Sequence, residues 1–276
     1  MKKLIAYSII AISIIVASCD KIKVAPQNTT AKPNTRKILL EDYTGHQCGN
    51  CPAAAGVAEN LSEKYGDKLI VIAVHAGFFT KLNSTYVTSY TCEAGNDWDA
   101  STGFGISGGA GNPNGMINRK NYADNGRIQK ETKWSTSVSL ASNDIEFCDL
   151  TLNANYDAVN RKLNTTVKTK FRRHYDNKTK ISVVLTEDSI IGPQKDYSKN
   201  PDLVPNYTFM HLLRGSINGS WGADLLSSAK YQDSVIVSYP NFSINPKFVD
   251  KNVSVVAFVY DDVTKEVLQV EKVKIR

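Results

Sequence analysis

Two cysteines, Cys48 and Cys51, stand two residues apart in the stretch YTGHQCGNCP that runs from Tyr43 to Pro52. A pair at that spacing supports three chemistries: a redox-active dithiol, half of a metal site, or an ordinary structural disulfide. A structural zinc site wants a second CxxC or paired histidines at matching spacing. Here Cys92 and Cys148 stand alone, and His46, His75, His174 and His211 are scattered. No metal site is expected. A disulfide closing so small a loop removes little entropy from the unfolded chain, so it stabilises weakly. The redox and structural readings remain.

The surrounding elements decide how such a pair is presented. Residues 36–43 (RKILLEDY) are an apolar run rich in strand formers. Ala54, Val57, Leu61 and Tyr65 then recur at three- and four-residue spacing, one face of a helix over 53–65, and Gly66 follows as a stop. Residues 68–75 (KLIVIAVH) read as a strand buried on both faces. This is a β–α–β unit with parallel strands, and the CxxC lies at the strand-to-helix junction. Cys48 is expected where the helix begins, where free backbone N–H groups and the helix dipole favour a thiolate. Cys51, one turn on, is expected to be enclosed and to resolve a mixed disulfide. Gly49 and Asn50, between them, face the substrate. Pro52 is tolerated in the first turn.

The N-terminus bears on the compartment. Lys2 and Lys3 precede an apolar run from Leu4 to Val16 and then small residues, the layout of a secretory signal peptide. The run ends in VASC at Cys19, which looks like a bacterial lipobox. Residues 1–18 are read as a lipoprotein signal peptide, Cys19 as the lipidated residue, and 19–35 as a flexible tether. The formal charge of +6 becomes +4 without Lys2 and Lys3, too small an excess to imply nucleic acid. The expected partners are a membrane, through the lipid anchor, and exported proteins with thiols or disulfides. No cofactor is expected beyond the disulfide itself and the lipid on Cys19. In an oxidising compartment Cys92 and Cys148 could form a second disulfide, or stay as two buried thiols.

The residue pattern changes near 142. Residues 36–141 alternate strands and helices, with a long insertion at 76–110 rich in Gly, Ser and Asn that holds Cys92 and Trp98. The insertion is read as a substrate rim or an adhesive loop. Its glycine-rich run 103–111 lacks the lysine of a phosphate loop and is read as a flexible connection. Residues 127–140 could be a closing helix anchored by Ile128, Trp134 and Val138. Residues 142–276 offer seven strand patterns, at 145–152, 163–171, 180–186, 207–214, 234–239, 252–260 and 267–275. Such punctuation suggests an all-β, immunoglobulin-like sandwich. His46 reads as a solvent-facing loop residue, His75 as a packing residue, and His211 and Arg214 as strand residues.

The segment LLEDYTGHQCGNC, Leu39 to Cys51, resembles the strand–CxxC–helix segment of thioredoxins. The resemblance implies that Asp42 is a buried carboxyl assisting proton transfer at the resolving cysteine. Asn112-Pro113, in GNPNGMIN, is similar to the loop where thioredoxins place a cis-proline facing the CxxC. That loop, with Asn112, would accept an extended substrate segment. Gln47 stands where a tryptophan is usual, and Gly49-Asn50 replaces Gly-Pro. The combination of YTGHxCGNCP, PxGMINR ending at Arg119, and HLLRGSINGSWG from His211 to Gly222 resembles the Omp twenty-eight-related outer-membrane lipoprotein family of Bacteroidetes. That resemblance implies a thioredoxin-like domain with a C-terminal β-rich domain, in the cell envelope and lipid-anchored at the outer membrane, facing the periplasm or the surface. Two functions stay open: a thiol–disulfide oxidoreductase working through Cys48 and Cys51, with Asp42 and Pro113, or an adhesin or assembly protein on a scaffold with an inert disulfide.

Overall fold

The computed structural model describes residues 28–29 and 36–276; the segment read as a signal peptide, most of the expected tether and the expected lipidation site Cys19 lie outside the described residues. The described residues are mostly β, with three α-helices and mixed sheets. Among the described residues no helix is long and apolar enough to cross a membrane.

After a two-residue strand β1 (Asn28–Thr29), the chain forms β2 (Ile38–Thr44), α1 (Cys51–Tyr65) and β3 (Leu69–His75). β2 and β3 pair in parallel with Asp42 opposite Ala73, as the β–α–β reading requires. Alternation divides β2 between two environments. Ile38 and Leu40 pack under α1, with Ala54, Ala58 and Leu61. Leu39 and Tyr43 face the other side. Next come α2 (Glu93–Asp99), β4 (Asn114–Ile117) and α3 (Glu131–Ala141). β4 pairs antiparallel with β2, and α3 carries Trp134 and Val138 into the core beneath α1.

The rest of the chain is β5 (Cys148–Asp157), β6 (Lys162–Phe171), β7 (Thr179–Glu187), β8 (Ile190–Lys195), β9 (Leu203–Phe209), β10 (Leu212–Ser216), β11 (Ala223–Leu226), β12 (Ser234–Ser243), β13 (Val253–Asp261) and β14 (Val267–Lys274). The large sheet has the order β14-β13-β7-β10-β3-β2-β4, with β11 also on β7. It therefore takes strands from both sides of residue 142. β10 joins them, pairing antiparallel with β7 and parallel with β3. The two ends of the sheet approach each other, because the Val267 N–H donates to the Asn118 carbonyl at 2.9 Å. A second sheet, β1-β5-β6-β12, packs on β7 and β13 around Leu150, Val167, Phe171, Val255 and Ala257.

Several local expectations change. The strand expected at 207–214 breaks at His211, which takes a left-handed backbone (φ 57°). The first part pairs with β8 as a separate hairpin, and the second joins the main sheet. β8 carries Gly192 and Pro193, which conceal a strand from any pattern reading. The 76–110 insertion is not a mere rim. Its α2 buries Ala94 and Trp98 against the main sheet, and the Trp98 Nε1–H donates to the Ser220 carbonyl at 2.6 Å. The glycine-rich run contains a π-helical turn at Ile106–Ala110. The second disulfide is not formed: Cys92 and Cys148 are both free. Cys148 lies in the core between the two sheets, while Cys92 packs on the opposite face of the main sheet.

One buried ion pair sits beneath this face. Arg119 Nε and Nη2 donate to both Glu41 carboxylate oxygens at 2.8 and 2.7 Å. The guanidinium lies about 5 Å from the rings of Trp98, Phe104 and Phe258. Both side chains are essentially without solvent contact.

Candidate functional site

The chain leaves β2 at Thr44 and turns through Gly45–Asn50 before α1 begins at Cys51. Cys48 and Cys51 are joined in a disulfide with a Cα–Cα distance of 5.4 Å. Cys51, not Cys48, is the first helical residue; Cys48 lies in the turn before it, and Pro52 follows in the first turn. Both cysteines are buried at 2% exposure, so the expected asymmetry between an open Cys48 and an enclosed Cys51 is absent.

Two segments far off in sequence enclose the pair. The first is the insertion. The Phe79 carbonyl accepts the Gln47 N–H at 3.0 Å, and the Lys81 carbonyl lies 3.1 Å from His46 Nε2 and also accepts the Gln47 side-chain amide. His46 is therefore not a solvent-facing residue. It is fully buried, stacked on Tyr86 at 4.8 Å and edge-on to Tyr90. His75 packs behind it against Tyr90 and Phe209. Burial, with His46 and Arg214 adding, pushes the His75 imidazole down to about 3, so it stays neutral. Burial lowers His46 as well.

The second segment is the β8–β9 hairpin. Lys195 N–H donates to the His46 carbonyl at 2.8 Å, and Tyr197 N–H donates to the Gly49 carbonyl at 2.9 Å. Gln194, buried, donates its amide to the Cys48 carbonyl at 2.9 Å. Tyr197 covers Gly49 so closely that a Cβ there would lie 2.6 Å from the ring. A glycine is required at 49 for this contact. The hairpin is held from behind by Tyr90, Phe209 and Leu212.

Asp42 lies on the α1 side of β2, opposite Glu41. It is 3% exposed, and its Oδ1 has no hydrogen-bond partner. Burial, with the charge of Glu131 adding, pushes its carboxyl up to about 7. Asp42 and Cys51 line one cavity of about 30 Å³, together with Thr44, His75, Gln194 and Tyr207. That volume suits a single water molecule. The arrangement can hold a proton on the Asp42 carboxyl beside Cys51.

The Asn112–Pro113 bond is cis. Asn114 stands opposite Tyr43 in the β2–β4 ladder, so Pro113 sits level with the end of β2, at the entry to the cysteine turn. Asn112 donates its amide to the Thr44 carbonyl at 3.2 Å, and the Pro113 carbonyl accepts from Lys130 Nζ at 3.4 Å. The structure thus gathers Asp42, Cys48, Gly49, Asn50, Cys51 and Asn112-Pro113 around one turn. It leaves Cys92 and Cys148 outside. Among the described residues no cluster of three or more His, Cys, Asp or Glu could hold a metal ion. Gln194, Tyr197, Tyr86, Tyr90 and Tyr207 were not legible as site residues, because only the tertiary fold brings them here.

A family model described as outer membrane protein Omp28 matches residues 104–276. No curated protein matches. Among solved structures, HBP35 of Porphyromonas gingivalis aligns over 87% of this chain and 75% of its own, with a TM-score of 0.61 at 14% identity. A protein of Agrobacterium tumefaciens aligns over 88% of this chain and 96% of its own, with a TM-score of 0.51 at 9% identity. At these identities the likeness is one of fold. A domain of the outer membrane lipoprotein Omp28 from Porphyromonas gingivalis is 27% identical, covering 48% of this chain and 91% of its own, with a TM-score of 0.32. The family match begins after Cys51, so it takes in Pro113, Arg119 and the hairpin but not the disulfide. It spans more than half of the sequence, and the chain belongs to the Omp28 family of outer membrane proteins.

Proposed function

We propose that this outer membrane protein, lipid-anchored through Cys19, carries a gated thiol–disulfide exchange centre at Cys48–Cys51, acting on thiols or disulfides of exported proteins. In this reading β2–α1–β3, β4 and α3 form a thioredoxin-like unit, and the strands after residue 142 form a sandwich-like partner to it. The observation that carries the reading is Asp42. A buried carboxyl with an unpartnered oxygen is costly to keep in a scaffold, and this one shares a water-sized cavity with Cys51. A carboxyl protonated near neutral pH can supply the proton that a departing Cys51 thiolate needs. The step balances simply: a substrate thiolate attacks Cys48 Sγ, the Cys48–Cys51 bond breaks, and Cys51 leaves with the electron pair and takes the Asp42 proton. The direction of net exchange follows the potentials of the partners.

The hairpin is the gate. Its contacts to His46, Cys48 and Gly49 occupy the backbone that an extended substrate would use. The competing reading is an inert disulfide in an adhesin or assembly scaffold, and the 2% exposure of Cys48 favours it. Reduction of the folded protein separates the two. Under glutathione or dithiothreitol, the exchange reading expects slow reduction of the pair, with insulin-reduction or RNase-oxidation activity lost in Cys48→Ser. If the pair reduces only on unfolding, and neither assay responds, the scaffold reading holds.

Gly49→Ala tests the gate itself. The added Cβ collides with the Tyr197 ring. Tyr197 is largely exposed and can swing away, lifting the hairpin tip. Losing one of the hairpin's backbone bonds, about 1 kcal/mol, raises the open fraction several-fold. The expected result is a rise of about fivefold in the dithiothreitol reduction rate with little change in melting temperature. An unchanged rate would mean that the hairpin does not limit access.

A further inference from the structure

The cavity between Asp42 and Cys51 does not end there. Asp42, Pro52, Ala55, Ala73, Tyr207 and Met210 also line a groove of about 260 Å³ between α1 and the β9–β10 connection. Gly56, Glu59, Thr208 and Met210 are exposed along it, so the groove opens to solvent. This opening is on the helix side, away from the hairpin tip over Gly49. His211 stands at the groove wall, placed there by its left-handed backbone between β9 and β10. Its Nε2 lies 3.5 Å from Glu59 of α1, and its Nδ1 lies 3.1 Å from Asp188 of the β7–β8 turn. Lys272 of β14 reaches the same Asp188 at 3.7 Å. The groups facing Asp42 are Tyr207 of β9, His75 of β3 and, through its charge, Glu131 of α3.

We infer that His211, with Glu59, forms the outer end of a proton route that runs through this groove to Asp42. The inference rests on the exchange reading of Cys48–Cys51. When the disulfide opens, Asp42 gives its proton to the Cys51 thiolate and is left as a buried carboxylate. That charge is costly where it stands. It is discharged when a proton passes from the His211 ring, through groove water, to Asp42. His211 then takes a proton from solvent at the Glu59 side. Re-oxidation runs the same path outward. A separate proton entrance lets the hairpin stay seated over the sulfurs while Asp42 exchanges its proton.

Chemical rescue tests this in the full chain. The rate of Cys48–Cys51 reduction by dithiothreitol is followed from pH 5 to pH 9 in wild type, His211→Ala and Glu59→Gln. In His211→Ala the expected rate falls about tenfold at neutral pH, less than the hundredfold or more that a group in direct proton transfer supplies. Added imidazole restores it saturably, and wild type shows no such response. Glu59 is half exposed, so Glu59→Gln keeps the fold, and its rate is expected to fall about threefold with a shifted pH profile. Unchanged rates in both variants, or a slow His211→Ala that imidazole does not rescue, would overturn the route. If His211→Ala does not fold, Glu59→Gln alone decides, by its pH profile. Wild type that is not reduced while folded would instead remove the exchange reading, and the route with it.

Discussion

Asp42→Asn is expected to stabilise the oxidised protein strongly at pH 8.5 and hardly at all at pH 4. The native carboxyl keeps its proton up to about 7, whereas an unfolded aspartate loses it near 3.8. The folded state therefore binds more protons than the unfolded state between those values, and stability falls as pH rises through that window. The difference corresponds to about 4 kcal/mol above pH 7, an upper figure because the cavity can admit water. Asparagine has nearly the same shape and no charge to desolvate. Urea denaturation at the two pH values measures the effect, and an equal change at both would show that Asp42 carries no raised pKa. The same substitution should slow reduction of the disulfide by about a hundredfold, since the amide has no proton to give the leaving Cys51. A variant that is both more stable and less reactive would mark Asp42 as a residue kept for chemistry at a cost in stability.

The neighbouring residue gives the opposite result. Glu41→Gln is expected to cost 3 to 5 kcal/mol, or about 10 °C in melting temperature for a chain of this size. Glu41 is the carboxylate that both Arg119 nitrogens contact, and Arg119 is only 1% exposed. Removing the negative charge leaves a guanidinium among aromatic rings with no ionic partner and no water. The penalty is that of the orphaned charge, so replacing both members should return most of it. Glu41→Leu with Arg119→Met is expected to lie close to wild type in denaturant midpoint. A double variant as unstable as the single one would mean that the pair itself, and not the orphaned cation, stabilises the fold. Two adjacent acids on one strand thus differ because alternation sends one to an arginine and the other to a small cavity beside Cys51.

The core of this arrangement was readable in the residues. The run at 68–75, the three- and four-residue spacing in 53–65 and the break at Gly66 each report a local preference, and the β–α–β unit follows from them. Asp42 and Pro113 were reachable only through resemblance, because nothing local says that a carboxyl in an apolar strand will be unpaired. What escaped is non-local. His46 looked like a loop residue because its burial depends on Tyr86 and Tyr90, some forty residues away in the chain. The hairpin hid behind Gly192 and Pro193, and the pattern at 207–214 read through a break that only the backbone of His211 reveals. The insertion looked like a loop because Gly, Ser and Asn dilute it. A seven-residue helix with Trp98 near its end is too short to show a period.

The splice made by β10 also has a consequence for how the protein is made. β3 is an inner strand whose outer neighbour is supplied from a point well over a hundred residues later. A chain delivered N-terminus first presents β2, β3 and β4 long before β10 exists to cover them. During that interval one flank of β3 is an open, apolar edge, the kind of surface that recruits other chains. Until β10 pairs with it, that edge of β3 is the part of the sheet most exposed to wrong pairing. The enclosure of the disulfide likewise depends on a late segment, because the hairpin just ahead of β10 supplies the contacts to His46, Cys48 and Gly49.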